Sequence, residues 1–419
     1  MKWIKLAFRN VLRNKRRSFI TIVAIGIGFA SISLYHGYIH NAYDGLRVLA
    51  INVEGLGHLR INKAGWQEKG KLEPEKYMFS QEETEKIMKL VGEEKEVRLT
   101  TPQIQVTGLV TNGEQSTVFI AQGIIPKDEK IIKENLVIYY NYTERDEDLF
   151  KGEPLSDEKI YGVLMARDLA RYLNFKPGSP GIVMAQTLNG NMNAMDMQIN
   201  GVYDTGNDFS NDKFMLLNFY FAQSLLGTRS AERIVVLLKD WSDTERMRDL
   251  FLKKLKSAGI DCEIRTWNEL SLIYSKIKSY LDTIFLFLSS IVLVIVIMTT
   301  VNTMGMAILE RTKEIGTLRS LGLKFRGISV LFALEGAFLG LFGSIMGIIL
   351  HTCVWTLIKI FPLYYTPPGM SEAVAMMVDM VPEALFVLVL CFILLSTIAA
   401  IIPARGAARK NIVDALGHV

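Results

Sequence analysis

The sequence predicts an α+β membrane protein, with four transmembrane helices and a large mixed α/β extracytoplasmic domain between helices 1 and 2. Three observations lead there. Apolar stretches at 19–38, 281–309, 328–358 and 384–402 each reach the roughly 20 residues that a helix needs to cross the hydrocarbon core. Half of the 419 residues are hydrophobic, at a mean hydropathy of +0.23, which places the chain between soluble proteins and pure membrane bundles. About 240 residues separate the first span from the second, enough for one sizeable or two small folded domains.

The chain opens on Lys2, Lys5, Arg9, Arg13 and Arg16 at helical spacing, with Trp3, Ile4, Ala7, Phe8, Val11 and Leu12 on the opposite arc. That pattern predicts a helix lying in the membrane interface. A positive flank without fixed structure is the plainer alternative. The apolar run that follows is longer than the core of a secretory signal and lacks an Ala-x-Ala cleavage site, so it reads as a span. Cations crowd before Phe19, between the second and third spans (Arg311, Lys313, Arg319, Lys324, Arg326) and after the fourth (Arg405, Arg409, Lys410). The segment between spans three and four carries Glu372, Asp379 and Glu383 and no Lys or Arg. By the positive-inside rule both termini are cytosolic. The resulting boundaries are an interfacial helix at 1–17, spans at 18–39, 281–309, 327–360 and 384–403, the extracytoplasmic domain at 40–280, a short cytosolic helix at 310–326, an outer loop at 361–383 and a cytosolic tail at 404–419.

Within the large domain, β-rich runs fall at 57–62, 96–110, 116–123, 181–186, 197–202, 214–217 and 233–239. Helical runs fall at 81–91, with Ser80 as N-cap, and at 166–173, 219–226 and 244–258. Strands and helices interleave, which favours a mixed fold over an all-β sandwich. The acid-rich stretch at 141–159 reads as a solvated excursion, with an acidic docking site for a basic partner as the sharper alternative. Asn189-Gly190 predicts a hairpin tip, and Met192, Met195 and Met197 beside it either pack under the loop or grip a flexible ligand.

The net charge of +4, from 47 Lys and Arg against 43 Asp and Glu, has its cations at the span ends, so nucleic acid is not an expected partner. Three cysteines, Cys262, Cys353 and Cys391, are too scattered for a disulfide or a metal cluster. No phosphate-binding loop, His-Glu-x-x-His or Gly-x-Ser-x-Gly motif occurs. Asp204, Asp208 and Asp212 read as a polar turn rather than an acid–base site, and the expectation is no catalytic residue and no metal. Inside the membrane, Glu335 must face protein or water. It is read either as a relay or substrate contact or as a structural hydrogen bond to the second span, which offers Thr299, Thr300, Asn302 and Thr303. Asp282 and His351 are assigned no role. Gly336, Gly340, Gly343 and Gly347 form small-xxx-small pairs that admit a close helix neighbour, within the chain or at a dimer seam.

Several segments carry a resemblance. They are residues 6–17 before the first span, Gly57-His-Leu-Arg-Ile-Asn62, Tyr161-Gly-Val-Leu-Met-Ala-Arg-Asp-Leu-Ala-Arg-Tyr-Leu173, Glu310-Arg-Thr-Lys-Glu-Ile-Gly316 with Leu321-Gly322, and the tail beginning Pro403-Ala-Arg-Gly-Ala-Ala-Arg409. Over nearly its whole length the chain resembles permeases of the FtsX-like and MacB-like ABC transporter superfamily, within it the lipoprotein-releasing, LolC/LolE-like branch. It departs from the family tail at Ile412, where proline is usual, and at Gly417, where arginine is frequent. The resemblance implies a non-catalytic membrane subunit that binds no cofactor itself, with ATP and Mg used by a partner ABC ATPase in the cytosol. It implies a coupling helix in which Glu310, Arg311, Glu314, Ile315, Leu318, Arg319 and Gly322 contact that ATPase. By residue type, Glu310 can pair with Lys313 and Arg311 with Glu314, while Ile315 and Leu318 offer an apolar ridge. It further implies a MacB-like periplasmic domain, a second permease in a homo- or heterodimer, contact with membrane lipid, and a bacterial inner membrane location. The implied substrate is a lipoprotein passed to a periplasmic carrier. MacB-like efflux and FtsX-like regulation of a cell-wall hydrolase are the alternatives.

Overall fold

The computed structural model describes residues 2–70, 72–133, 150–206, 208–320, 324–366 and 373–408. They divide into two compact units, a helical one built from Met1–Tyr43, Ile277–Tyr364 and Ala375–Val419, and a sheet unit built from Asp44–Lys276 with Tyr365–Val374.

Among the described residues, the main sheet of this unit holds ten strands: β1 (Leu59–Lys63), β2 (Val97–Thr111), β3 (Ser116–Ile124), β4 (Phe150–Gly152), β5 (Gly162–Ala166), β6 (Pro180–Gln186), β7 (Met192–Tyr203), β8 (Phe214–Asn218), β9 (Arg233–Leu238) and β10 (Cys262–Thr266). Their order is β10-β1-β9-β2-β3-β8-β5-β7-β4, with β6 joining β2 to β7. The pairs β3/β8 and β5/β7 are parallel. The unusual length of β2 explains the layout. Its first half pairs with β9 and its second half with β3 and β6, so one strand serves two packed regions.

On the β1/β9 side, the helix Gln81–Gly92 and the helix Thr244–Ser257 cover a core of Leu59, Ile61, Ile87, Ile234, Val236, Phe251 and Leu255. Ser80 starts the first of these helices with a capping box, its hydroxyl accepting from the Glu83 N–H while the Glu83 carboxylate accepts from the Ser80 N–H. On the other side, the helix Phe219–Leu226 packs on Phe119, Val183, Met215 and Leu217. It is capped by Asn218 and ended by Gly227 at φ 66°.

Strands β4, β5 and β10 are not among the runs expected from sequence. The helix expected over 166–173 forms at Arg167–Tyr172, and the five buried residues just before it, to which the sequence pattern assigns no strand, make β5. A short, continuous apolar run has no periodicity to separate strand from helix. The methionine hairpin packs for the most part. Met197 is buried and Met195 sits against the core, while Met192 is exposed. Residues 141–149 of the acidic stretch, and Ile412 and Gly417, lie outside the described residues.

The helical unit is built from α1 (Lys2–Arg13), α2 (Lys15–Val48), α3 (Leu272–Glu310), α4 (Thr312–Ser320), α5 (Phe325–Ile360) and α6 (Pro382–Ala408), with the last residues of α2 and the first of α3 falling in the sheet unit. Helices α2, α3, α5 and α6 are long and apolar enough to span a membrane. The glycine stripe of α5 is used inside the chain, and it serves two neighbours in turn. A Cβ on Gly336 would meet Ala400 Cβ at 2.5 Å, and one on Gly340 would meet Ile393 Cα at 2.8 Å, both on α6. A Cβ on Gly343 would strike the Ile25 side chain, and one on Gly347 would lie 2.6 Å from Phe29 Cβ, both on α2. Contacts that close leave no room for a side chain, so the stripe fixes the spacing of α2, α5 and α6. Half of the most apolar stretch of α2 is buried, against 11% for α3, which makes α2 the central helix and α3 the peripheral one.

Two predictions follow from this packing. Gly343→Leu should destabilise the helical unit by about 2–3 kcal/mol, as overpacking does. Gly305→Leu, at a position with nothing within 4 Å, should change stability by less than about 0.5 kcal/mol; thermal unfolding in detergent compares the two. In the sheet unit, His58 Nδ1 accepts from the Leu238 N–H at 3.0 Å, and burial, aided by Arg47, pushes its pKa down to about 4 from an ordinary 6.5. The unfolded chain therefore binds the proton first as pH falls. Stability is full above pH 6.5 and declines toward pH 4, by about 3 kcal/mol in all. His58→Asn keeps an acceptor and cannot titrate there, so the melting transition of its sheet unit should lose this slope; an unchanged slope would assign the pH dependence elsewhere.

Candidate functional site

A polar constellation of the helical unit lies where α3 gives way to α4. Arg311 breaks the helix, and the Thr312 hydroxyl donates to the carbonyls of Ile308 and Leu309 at 3.1 and 2.9 Å, covering the end of α3. Helix α4 then presents two faces. Thr312, Ile315 and Gly316 are buried, with Ile315 in one cluster with Val11, Ile328, Phe332 and Ala404. Lys313, Glu314, Thr317 and Ser320 are exposed.

Three helices meet at Glu335 of α5. Its Oε1 accepts from Asn10 Nδ2 of α1 at 2.6 Å and from Arg311 Nη1 at 3.1 Å. An ionised carboxylate only accepts, so the Asn10 amide must turn its NH₂ toward it. Arg311 also donates from Nε to Glu314 Oε2 at 3.0 Å, and Arg13 Nη2 donates to the two Glu314 oxygens at 3.1 and 3.2 Å. The result is an alternating chain, Glu335–Arg311–Glu314–Arg13, that begins on α5, passes through α4 and ends on α1. Partial burial pushes the Glu314 carboxyl up, but the hydrogen bonds from Arg311 and Arg13 outweigh it and hold the pKa below its ordinary value. Beside the chain, Arg17 pairs with Glu310 at 2.6 Å, and the Thr21 and Thr303 hydroxyls bond at 2.6 Å. Apolar contacts reinforce the junction. Ala7 and Val11 of α1 are buried, and the Phe8 ring stands edge-on to Phe338 of α5 at 5.6 Å.

Several expectations change against this geometry. Glu335 points into the protein, but its partners are Asn10 and Arg311 rather than the hydroxyls of the second span, and Asn302 is exposed on α3. Glu310 pairs with Arg17, not Lys313, because the chain turns at Arg311 and carries Glu310 toward the start of α2. Ile315 is buried in the helix cluster and offers no ridge to a partner. Arg311 is 9% exposed and Glu335 3%, so Arg311 acts within the chain rather than on its surface. Gly322 and the side chains of Leu318 and Arg319 lie outside the described residues. Asn10 was missed altogether. Its signal was a polar residue on the same helical stripe as Ala7, one turn along from it.

Of the carboxylates at 204, 208 and 212, Asp204 is held within the fold, and the side chain of Asp208 lies outside the described residues. Asp204 accepts from the Gly206 N–H and from Asn211 Nδ2 at 2.8 and 2.9 Å and pairs with Arg167 at 2.6 Å.

Residues 286–412 match the family model of the FtsX-like permease C-terminal domain. Arg311, Glu314 and Glu335 fall within that span, and Asn10 and Arg13 precede it. The chain thus carries an FtsX-like permease domain, and its relatives are permeases of ABC transporters. It is 24% identical to an uncharacterized ABC transporter permease of Methanocaldococcus jannaschii over 99% of this chain and 97% of that one. It is 20% identical to the lipoprotein-releasing system transmembrane protein LolC of Neisseria meningitidis over 99% and 98%. Against the macrolide export ATP-binding/permease protein MacB 1 of Yersinia pestis it is 26% identical over 200 residues, 47% of this chain and 29% of that one.

The two ends of the polar chain differ in environment, and their energetics should differ accordingly. Arg13 and Glu314 are each 51% exposed, so Arg13→Met should cost less than about 1 kcal/mol. Arg311→Met leaves Glu335 buried without its cation and should cost about 3 kcal/mol or more. Thermal unfolding of both variants in one detergent tests the contrast, and equal costs would contradict it.

Proposed function

We propose that the chain is the membrane permease subunit of an ABC complex that couples ATP hydrolysis by a separate cytosolic ATPase to motion of its sheet domain, and that it releases lipoproteins from the inner membrane for transfer to a carrier. The observation that carries this reading is end-to-end correspondence with LolC, including the large domain between the first two spans. Efflux of peptides or small amphiphiles is the second reading, favoured by the local match to MacB, whose identity is higher over a shorter span.

The exposed face of α4, with Lys313, Glu314, Thr317 and Ser320, is the surface offered to the ATPase. Its buried face is tied to the rest of the bundle, so a push on α4 reaches α1 and α5 directly. Both termini are then cytosolic and the sheet domain is periplasmic, which agrees with the cations of α1 and α4 and with the acidic Asp379 and Glu383 at the far ends of the spans. The second permease packs on α3. This is the least buried span, and it carries the exposed Asn302 beside the open Gly305, a polar group that hydrocarbon would penalise and a partner helix would satisfy.

Purification of the chain from its native membrane in mild detergent, with mass spectrometry and an ATPase assay, tests the reading. Co-purification of an ABC ATPase together with lipidated proteins is the expected result. Recovery of the ATPase with an adaptor and no lipidated protein would move the function to efflux, and absence of any ATPase would overturn the coupling role.

A further inference from the structure

We propose that Arg311, Glu335 and Asn10 form an internal clutch that makes α1, α4 and α5 move as one body, so that Arg311 works as a positioning residue for α4 and not as a contact for the ATPase. The inference rests on the reading of α4 as the ATPase-facing helix.

The geometry points to this in three ways. First, the interaction is three-sided. One carboxylate oxygen of α5 takes hydrogen bonds from α1 and from the α3–α4 break, so displacing either donor strips a buried acid of a partner. Second, Arg311 is shared. Its Nη1 holds Glu335 and its Nε holds Glu314, so α4 cannot rotate about the break without breaking one of the two. Third, the side of α4 that meets the bundle is closed by Ile315 and Thr312, while Lys313 and Thr317 look outward. The helix therefore separates its two tasks by face: outward residues for contact, inward residues for transmission. A buried ion pair adds little to net stability, because desolvation offsets its Coulombic gain. Directional coupling between helices is a role that an apolar pair of similar size would not supply.

The separation suggests a test in nanodiscs, using the ATPase that co-purifies with the wild-type chain. In Arg311→Met with Glu335→Leu, an apolar pair replaces the ionic one, and the buried Asn10 amide is left without its acceptor, which lowers stability. That double variant should bind the ATPase within about threefold of wild type, while the kcat of the complex falls about tenfold and its KM for ATP is unchanged. Glu335→Gln keeps an acceptor for Asn10 and Arg311 and loses only the charge. It should fold normally and lose about threefold in kcat, and it serves as the test if the double variant does not assemble. Lys313→Glu, on the outward face, should weaken ATPase binding itself. Wild-type kcat in the double variant, or in Glu335→Gln where that is the variant assayed, overturns the clutch even if Lys313→Glu behaves as expected. Wild-type ATPase affinity in Lys313→Glu instead overturns the assignment of α4 as the contact helix.

Discussion

A single buried carboxylate organises the helical unit. Glu335 lies inside a span where an unpaired charge would cost several kcal/mol, and the bundle answers with an amide from α1 and a guanidinium from the α3–α4 break. Each donor has a consequence. Asn10 fixes an amphipathic helix on α5, where Phe8 meets Phe338, and so turns an interfacial segment into part of the bundle. Arg311 anchors the start of α4, from which the exposed pair Glu314–Arg13 returns to α1. Arg311 and Glu335, 24 positions apart, thus share one polar centre with Asn10, which lies 325 positions before Glu335.

The glycine stripe performs the complementary task on the apolar side. Gly336 and Gly340 admit α6, and Gly343 and Gly347 admit α2, so α5 is held by close backbone approach at several levels while Glu335 locks its polar end. This rigidity contrasts with α3, which is tied to α2 by the Thr21–Thr303 bond, the Arg17–Glu310 pair, the Tyr35 and Tyr43 hydroxyls and Val292 against Gly28, yet leaves most of its apolar stretch exposed. A unit with a locked centre and a bare peripheral span suits the role proposed for it, in which it transmits displacement and pairs with a second permease.

Much of this was legible in the sequence, and the rest was hidden for identifiable reasons. The four spans announced themselves through length and hydropathy, the helix at 81–91 through its Ser80 cap, and the helix at 219–226 through its residue pattern alone. The position of Glu335 inside a span required a partner, but sequence offered the wrong one. Asn10 lies 325 positions away and Arg311, though only 24 away, sits at the break after the second span, so neither belongs to the span that the sequence offers as a neighbour. The pairing of Glu310 with Lys313 failed for a related reason: helical spacing assumes an unbroken helix, and the break at Arg311 sends Glu310 to Arg17. In the sheet unit, β5 and β10 were missed because five-residue apolar or mixed runs carry too little periodicity, and their pairing with β7, β8 and β1 is decided by residues far away.

The most direct test of the central claim is a distance measured across the proposed rigid body during the nucleotide cycle. Spin labels at Arg9→Cys on α1 and Thr317→Cys on α4, both exposed sites, would be placed in a chain whose native Cys262, Cys353 and Cys391 are replaced. The distance would be read with the co-purified ATPase in its nucleotide-free and vanadate-trapped states. If α1 and α4 move as one body, it should stay constant to within about 2 Å; a change of about 5 Å, one helical turn of sliding, would show that α4 moves independently of α1 and would contradict the account.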